Sequence, residues 1–240
     1  MADYQTIRTG TGGVRTAQID EGLRAHMNKV YGLMSLAMLV TGAVAYTVGN
    51  SEMLLQQIFG TPLKWLVMFA PLIVVFGFGA MINRMSAAAA QVVFYVFAAL
   101  MGLSISFIFA VYTGISIAQT FVVTAIAFAG LSLYGYTTKK DLSGWGTFLI
   151  MGVIGLIVAS IVNIFLASPA LMFAISAIGV LIFAGLTAYD TQSIKNEYIQ
   201  MAAQGDQEWL GKSAVMGALR LYLDFINMFM FLLQFMGNRG

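Results

Sequence analysis

Of the 240 residues, 60% are hydrophobic and 9% are charged, against about 25% charged in an ordinary soluble domain. A soluble fold of this length has no interior large enough for that much apolar surface, so the bilayer is the solvent for most of the chain. The net charge of +2, without a basic stripe, argues against nucleic acid as a partner. The absence of cysteine removes disulfides, thiolate metal sites and cysteine nucleophiles.

The chain opens on a polar stretch holding Arg8, Arg15, Arg24 and Lys29, with no apolar core of the kind a signal peptide carries. It reads as a mobile cytoplasmic arm over residues 1–26, followed by a seven-helix transmembrane domain over residues 27–240. The single histidine, His26, closes the arm and reads as a solvated residue.

Charges then punctuate the chain, and about 20 apolar residues suffice to cross a hydrocarbon core roughly 30 Å thick. Residues 30–51 give one span, and residues 65–83 a second with a kink expected at Pro71. The uncharged interval 85–138 holds two spans, divided at Tyr112-Thr113-Gly114. After Lys139-Lys140-Asp141, the interval 142–189 holds two more, divided at Ser168-Pro169. A last span runs from about Ala214 to Gly237, with a cytoplasmic loop before it from about Lys195 to Lys212. The fold class is all-α integral membrane.

Lysine and arginine fall mostly on one side. The arm, Arg84, Lys139, Lys140, Lys195 and Lys212 share the side of the N-terminus, while Lys64 and Arg239 lie opposite. The positive-inside rule then puts the N-terminus in the cytoplasm and the C-terminus outside. No internal repeat is evident, which weighs against an inverted-repeat transporter.

Charges at membrane depth are costly and mark functional positions. Asp190, at the end of the sixth span, and Asp224, in the middle of the seventh, are the two acids of this kind. On antiparallel neighbours joined by a turn near Gly205-Asp206, the two would stand at one level. Two touching carboxylates cannot both ionise cheaply, so such a pair responds to pH. Its oxygens also suit a hard cation such as Ca²⁺. Spacing leaves a second reading open: Arg220, four residues before Asp224, neutralises it along the helix. Arg84 likewise reads either as an interfacial anchor or as a latch for Asp190; Lys139 and Lys140 read as anchors. Gly102, Ser104 and Ser106 read as helix-packing positions. An enzyme is not expected, because the spans hold no histidine beside a serine, no HExxH and no phosphate loop.

The segments Leu181-Ile182-Phe183-Ala184-Gly185-Leu186-Thr187-Ala188-Tyr189-Asp190-Thr191-Gln192 and Ala218-Leu219-Arg220-Leu221-Tyr222-Leu223-Asp224-Phe225-Ile226-Asn227 resemble the Bax-inhibitor (transmembrane Bax inhibitor motif) family. Asn83-Arg84-Met85-Ser86 and the stretch from Ser132 to Leu142 resemble its bacterial branch, and the likeness runs from about residue 25 to the end. The resemblance implies six helices surrounding a central seventh, in a bacterial inner membrane. It implies a passive, pH-sensitive calcium leak with no bound cofactor, in which Asp190 and Asp224 are the proton-sensing and ion-binding pair. It also implies an arginine latch on the second helix, the position of Arg84. Arg220 stands where the family pattern has a small or amide residue, and a cation there bears on conduction. The alternative function is a non-conducting regulator that binds a membrane protease or another membrane protein. A proton-coupled transporter using the same acids is a third.

Overall fold

A computed structural model describes residues 8–201 and 206–240. The first seven residues of the expected arm, the side chains of residues 8–18 and 207, and the turn expected at Gly205 lie outside the described residues. Apart from a lone antiparallel bridge between Tyr112 and Arg239, the described chain is helices and their connections.

The helices are α1 (Arg8–Gly49), α2 (Glu52–Phe59), α3 (Leu63–Met81), α4 (Ala87–Ile105), α5 (Ile108–Val111), α6 (Gly114–Thr137), α7 (Trp145–Leu166), α8 (Pro169–Met201) and α9 (Gln207–Met236). Seven segments among the described residues are long and apolar enough to cross a membrane. They match the seven spans read from the charge gaps. The third combines α4 and α5, which part at Ser106, whose hydroxyl donates to Leu103 O at 2.8 Å. Pro71 is buried inside α3, which continues through it. Thr113 caps α6 by accepting from Ser116 N, and Pro169 opens α8 at the first helical position, where its missing N–H costs nothing. The short α2 was not expected; Ser51 caps it by accepting from Leu54 N.

The reading of the arm needs correction. Helix α1 is continuous over 42 residues, roughly 63 Å at 1.5 Å per residue, about twice the hydrocarbon thickness. Its polar first half is not a free arm at residues 23–27, because Leu23, His26 and Met27 are buried. His26 is 6% exposed and lies against Tyr198 of α8, ring centroids 4.9 Å apart. The composition of this stretch is polar, but Leu23, Met27, Val30 and Met34 form one stripe at helical spacing. Most of the described stretch from Lys195 to Lys212 is helix, as a turn near Gly205-Asp206 requires, and α9 begins earlier than the expected start of the last span. Helix α8 runs on to Met201 and α9 starts at Gln207, where Asp206 caps it by accepting from Trp209 N.

Helix α9 carries the core. Ala214, Val215, Ala218, Leu221, Tyr222, Met228 and Leu233 are all at most 1% exposed. It packs against α1, α4, α6 and α8, while α3 packs on α4 and α7 on α8. Four helices therefore enclose the seventh span, and the other two form an outer rank, in place of a ring of six. The outer helices show their apolar faces outward, as Phe76, Ile164 and Phe165 do at three-quarters exposure or more. That surface is what lipid covers in a multi-pass membrane protein.

Candidate functional site

The site lies on the α8–α9 seam. Ser176, Phe183, Asp190 and Glu197 recur every seventh residue of α8, the period at which a helix keeps one edge toward a close antiparallel neighbour. Opposite them on α9 stand Gln234, Phe231, Asp224 and Arg220. Ser176 Oγ donates to Gln234 Oε1 at 2.6 Å, and the rings of Phe183 and Phe231 stack with centroids 5.8 Å apart.

At the third rung Asp190 and Asp224 meet, their carboxyl groups within reach of sharing a hydrogen bond. Asp224 is 4% exposed, and its Oδ2 has no hydrogen-bond partner. Asp190 is partly buried. A proton held between the two carboxyl groups would supply the donor that Oδ2 lacks, and a buried unpaired oxygen is costly without one.

At the fourth rung Arg220 turns away from Asp224. Its Nη1 donates to Glu197 Oε1 at 2.6 Å, an ion pair with side chains 38% and 37% exposed. Side chains on a helix lean toward its N-terminus, which carries Arg220 back from Asp224 to the level of Glu197. Local neutralisation of Asp224 by a direct Arg220 bridge is thus not the arrangement found. Arg220 still acts on both acids at longer range. Glu197 escaped the sequence reading, although its place seven residues beyond Asp190 was the available signal.

Arg84 is exposed in a short 3-10 turn, Ile82–Arg84, that follows α3. Because α3 packs on α4 and makes no extensive contact with α8, Arg84 does not latch Asp190 in this structure. Lys139 and Lys140 are exposed beyond the end of α6. No group of three or more histidine or acidic side chains that could hold a metal occurs among the described residues. Ca²⁺ takes six to eight oxygens, more than the two carboxyl groups supply.

Neighbouring contacts fix the pair. On α8, Thr191 Oγ1 donates to Thr187 O at 2.7 Å, which leaves Ser132 Oγ of α6 to donate to Thr191 Oγ1 at 3.3 Å. Gly135 of α6 lies so close to Ala188 of α8 that a Cβ there would strike the Ala188 carbonyl. Gln192 clasps the loop after α6, accepting from Leu142 N and donating to Lys140 O, each at 2.8 Å. Lys195 Nζ donates to Tyr136 O at 2.7 Å in the last turn of α6. On the other side Thr41 of α1 donates to Ala98 O of α4 at 2.8 Å, so the Tyr222 hydroxyl is the donor in its 2.6 Å bond to Thr41 Oγ1. A polar cavity of about 230 Å³, lined by Tyr189, Gln192, Asn196 and Glu197 among others, opens beside the Arg220–Glu197 pair. Gly102 packs against the Thr41 backbone, in keeping with a packing role.

The family described as "Inhibitor of apoptosis-promoting Bax1" matches residues 23–240. An inner membrane protein of Escherichia coli K12, YbhL, is 48% identical over 219 residues, covering 91% of this chain and 93% of its own. An uncharacterised protein of Rickettsia prowazekii is 46% identical over 239 residues, covering 100% of this chain and 99% of its own. One of Caulobacter vibrioides is 47% identical over 229 residues, covering 92% and 91%. The seven apolar spans and these likenesses describe a multi-pass protein of the inner membrane.

Proposed function

The chain belongs to the Bax-inhibitor family, and from that premise we propose that it is a passive calcium leak whose conductance follows the protonation of Asp190 and Asp224. The observation that carries this reading is the contact of two carboxyl groups on neighbouring spans, one of them buried with an unpartnered oxygen. With one proton between them the acids hold α8 and α9 together. Without it, two adjacent negative charges repel in a poorly solvated place, and the seam shifts to a second packing. Calcium is the cargo, met by carboxylate oxygens along its path, and the polar cavity beside Glu197 is its approach from the end of the molecule that bears Arg84, Lys140 and Lys212. That end is the cytoplasmic one by the lysine and arginine bias.

Calcium flux into proteoliposomes, followed from pH 5.5 to 8.5, tests this. Wild-type flux is expected to change with pH, and Asp190→Asn and Asp224→Asn to flatten that dependence. Unchanged flux and pH profile in both variants would overturn the reading.

One observation favours a second reading, a non-conducting regulator that binds a membrane protease or another membrane protein. Arg220 sets a permanent cation one turn from Asp224, where a divalent cation would pass. Absence of flux at every pH, with a membrane partner that co-purifies and is lost on deleting residues 1–18, would select it. That deletion spares the buried Leu23, His26 and Met27.

A further inference from the structure

We propose that the lateral groove between α1 and α6 is a phospholipid site, with an acyl chain along its wall and the phosphate held by Arg24. The groove has a volume of about 1070 Å³, the upper end of the range for sites that enclose a whole small molecule. It is walled by α1 from Arg24 to Ala43 and by α6 from Phe121 to Tyr136, with Phe225 of α9 as its floor. The two walls make no extensive contact with each other, so the groove opens sideways into the region that lipid occupies. Along α1 it measures about 28 Å, close to the full hydrocarbon thickness of roughly 30 Å.

Its chemistry is graded from one end to the other. Met34, Met38, Ala125 and Phe128 make the middle apolar. At the far end a Cβ on Gly42 would meet no atom within 4 Å, so protein leaves that space unfilled. Charge gathers only at the opposite mouth. Arg24 is exposed there beside Asn28 and forms no salt bridge among the described residues. Behind the Tyr136 wall Lys195 sits over the ring, 5.3 Å from its centroid, with its Nζ donating to Tyr136 O. Asp20 and Glu21 lie a turn farther out on α1 and are exposed. An apolar trough that ends in a cation at headgroup depth matches a chain attached to a phosphate, and basic pockets between spans on this side are where lipid headgroups settle. A quinone or hydrocarbon would use the wall and leave Arg24 idle.

The test is native mass spectrometry of the full-length protein in mild detergent, after delipidation and reloading with dioleoyl phosphatidylglycerol. One phospholipid retained per chain is expected. Gly42→Phe puts a ring at the far end of the groove, where a Cβ meets no atom within 4 Å, and is expected to abolish retention at a melting temperature no lower than that of wild type. Arg24→Gln is expected to lower retention about fivefold, the worth of one basic residue at a membrane surface, while leaving the weaker retention of dioleoylglycerol, which has no anionic headgroup, unaltered. No retention by wild type, equal retention by Gly42→Phe, or a second protein chain held in place of lipid would each overturn the proposal. The Arg24→Gln arm stands even if the larger substitution misfolds, since Arg24 is at the surface.

Discussion

Arg220 and Asp224 share one face of α9, a single turn apart, yet the guanidinium is spent on Glu197 of the neighbouring helix at 2.6 Å. Glu197 thereby holds the cation off the acid pair. Arg220→Gln is expected to move the flux–pH curve to higher pH, because carboxylates without a nearby cation take up protons sooner as pH falls. Glu197→Gln is expected to move it to lower pH, by releasing Arg220 toward Asp190 and Asp224. A half-exposed ion pair contributes little to stability, so both variants should stay within about 1 kcal/mol of wild type. The proteoliposome assay reads the curve and a thermal melt reads the stability.

The Tyr222–Thr41–Ala98 chain gives an asymmetric prediction. Tyr222→Phe removes one interhelical hydrogen bond and leaves Thr41 bound to Ala98, so a loss of about 0.6 kcal/mol is expected. Thr41→Val orphans the Tyr222 hydroxyl, which is 0% exposed, and should cost about 2 kcal/mol. The double variant should recover most of that difference. A double-mutant cycle on reversible unfolding checks the order, and equal costs for the two single variants would contradict the bonding direction.

Glycine to alanine in a helix ordinarily gains about 1 kcal/mol. At Gly42 the added methyl meets nothing, so Gly42→Ala is expected to raise the melting temperature. At Gly135 it strikes the Ala188 carbonyl and wedges α6 from α8, so the melting temperature should fall despite the same intrinsic gain.

Gln192 is the sole side chain of α8 bonded to both Leu142 N and Lys140 O. Gln192→Ala is expected to speed amide exchange across residues 139–144, with little change in α9. Hydrogen-exchange mass spectrometry resolves the two regions.

The spans were legible because charges cannot rest cheaply in lipid, so gaps of suitable length between charges locate helices. Asp190 and Asp224 were legible for the same reason, and their shared level followed from counting residues on either side of a turn. Their neighbours were harder. Glu197 was passed over as one charge of a mixed cytoplasmic stretch, although a helix continuing toward a turn near Gly205-Asp206 already put it on the edge of Asp190. His26 looked solvated because composition was weighed over a window, whereas burial is decided on one stripe of the helix, that of Leu23, Met27 and Val30. The enclosure of α9 by four helices, with α3 and α7 outside, depends on which apolar faces pair. Spans that are apolar all round carry no such information in their pattern.

The last turn of α9 is followed by a cluster of backbone bonds, whereas its first turn has one side-chain tie to α4, Glu208 Oε1 accepting from Ala87 N at 2.7 Å. Past its last turn, Thr113 N donates to Asn238 O at 3.1 Å, Gly240 N to Val111 O at 3.2 Å and Asn238 N to Ser116 Oγ at 2.9 Å, stitching the chain end to the connection between α5 and α6. A movement of α9 that keeps these stitches is a swing about a fixed fulcrum, and displacement grows with distance from it. Asp224 rides about 18 Å along the lever and Arg220 about 24 Å. A tilt too small to disturb the fulcrum therefore acts most on the Arg220–Glu197 rung, and the acid pair separates by a lesser stroke of the same swing.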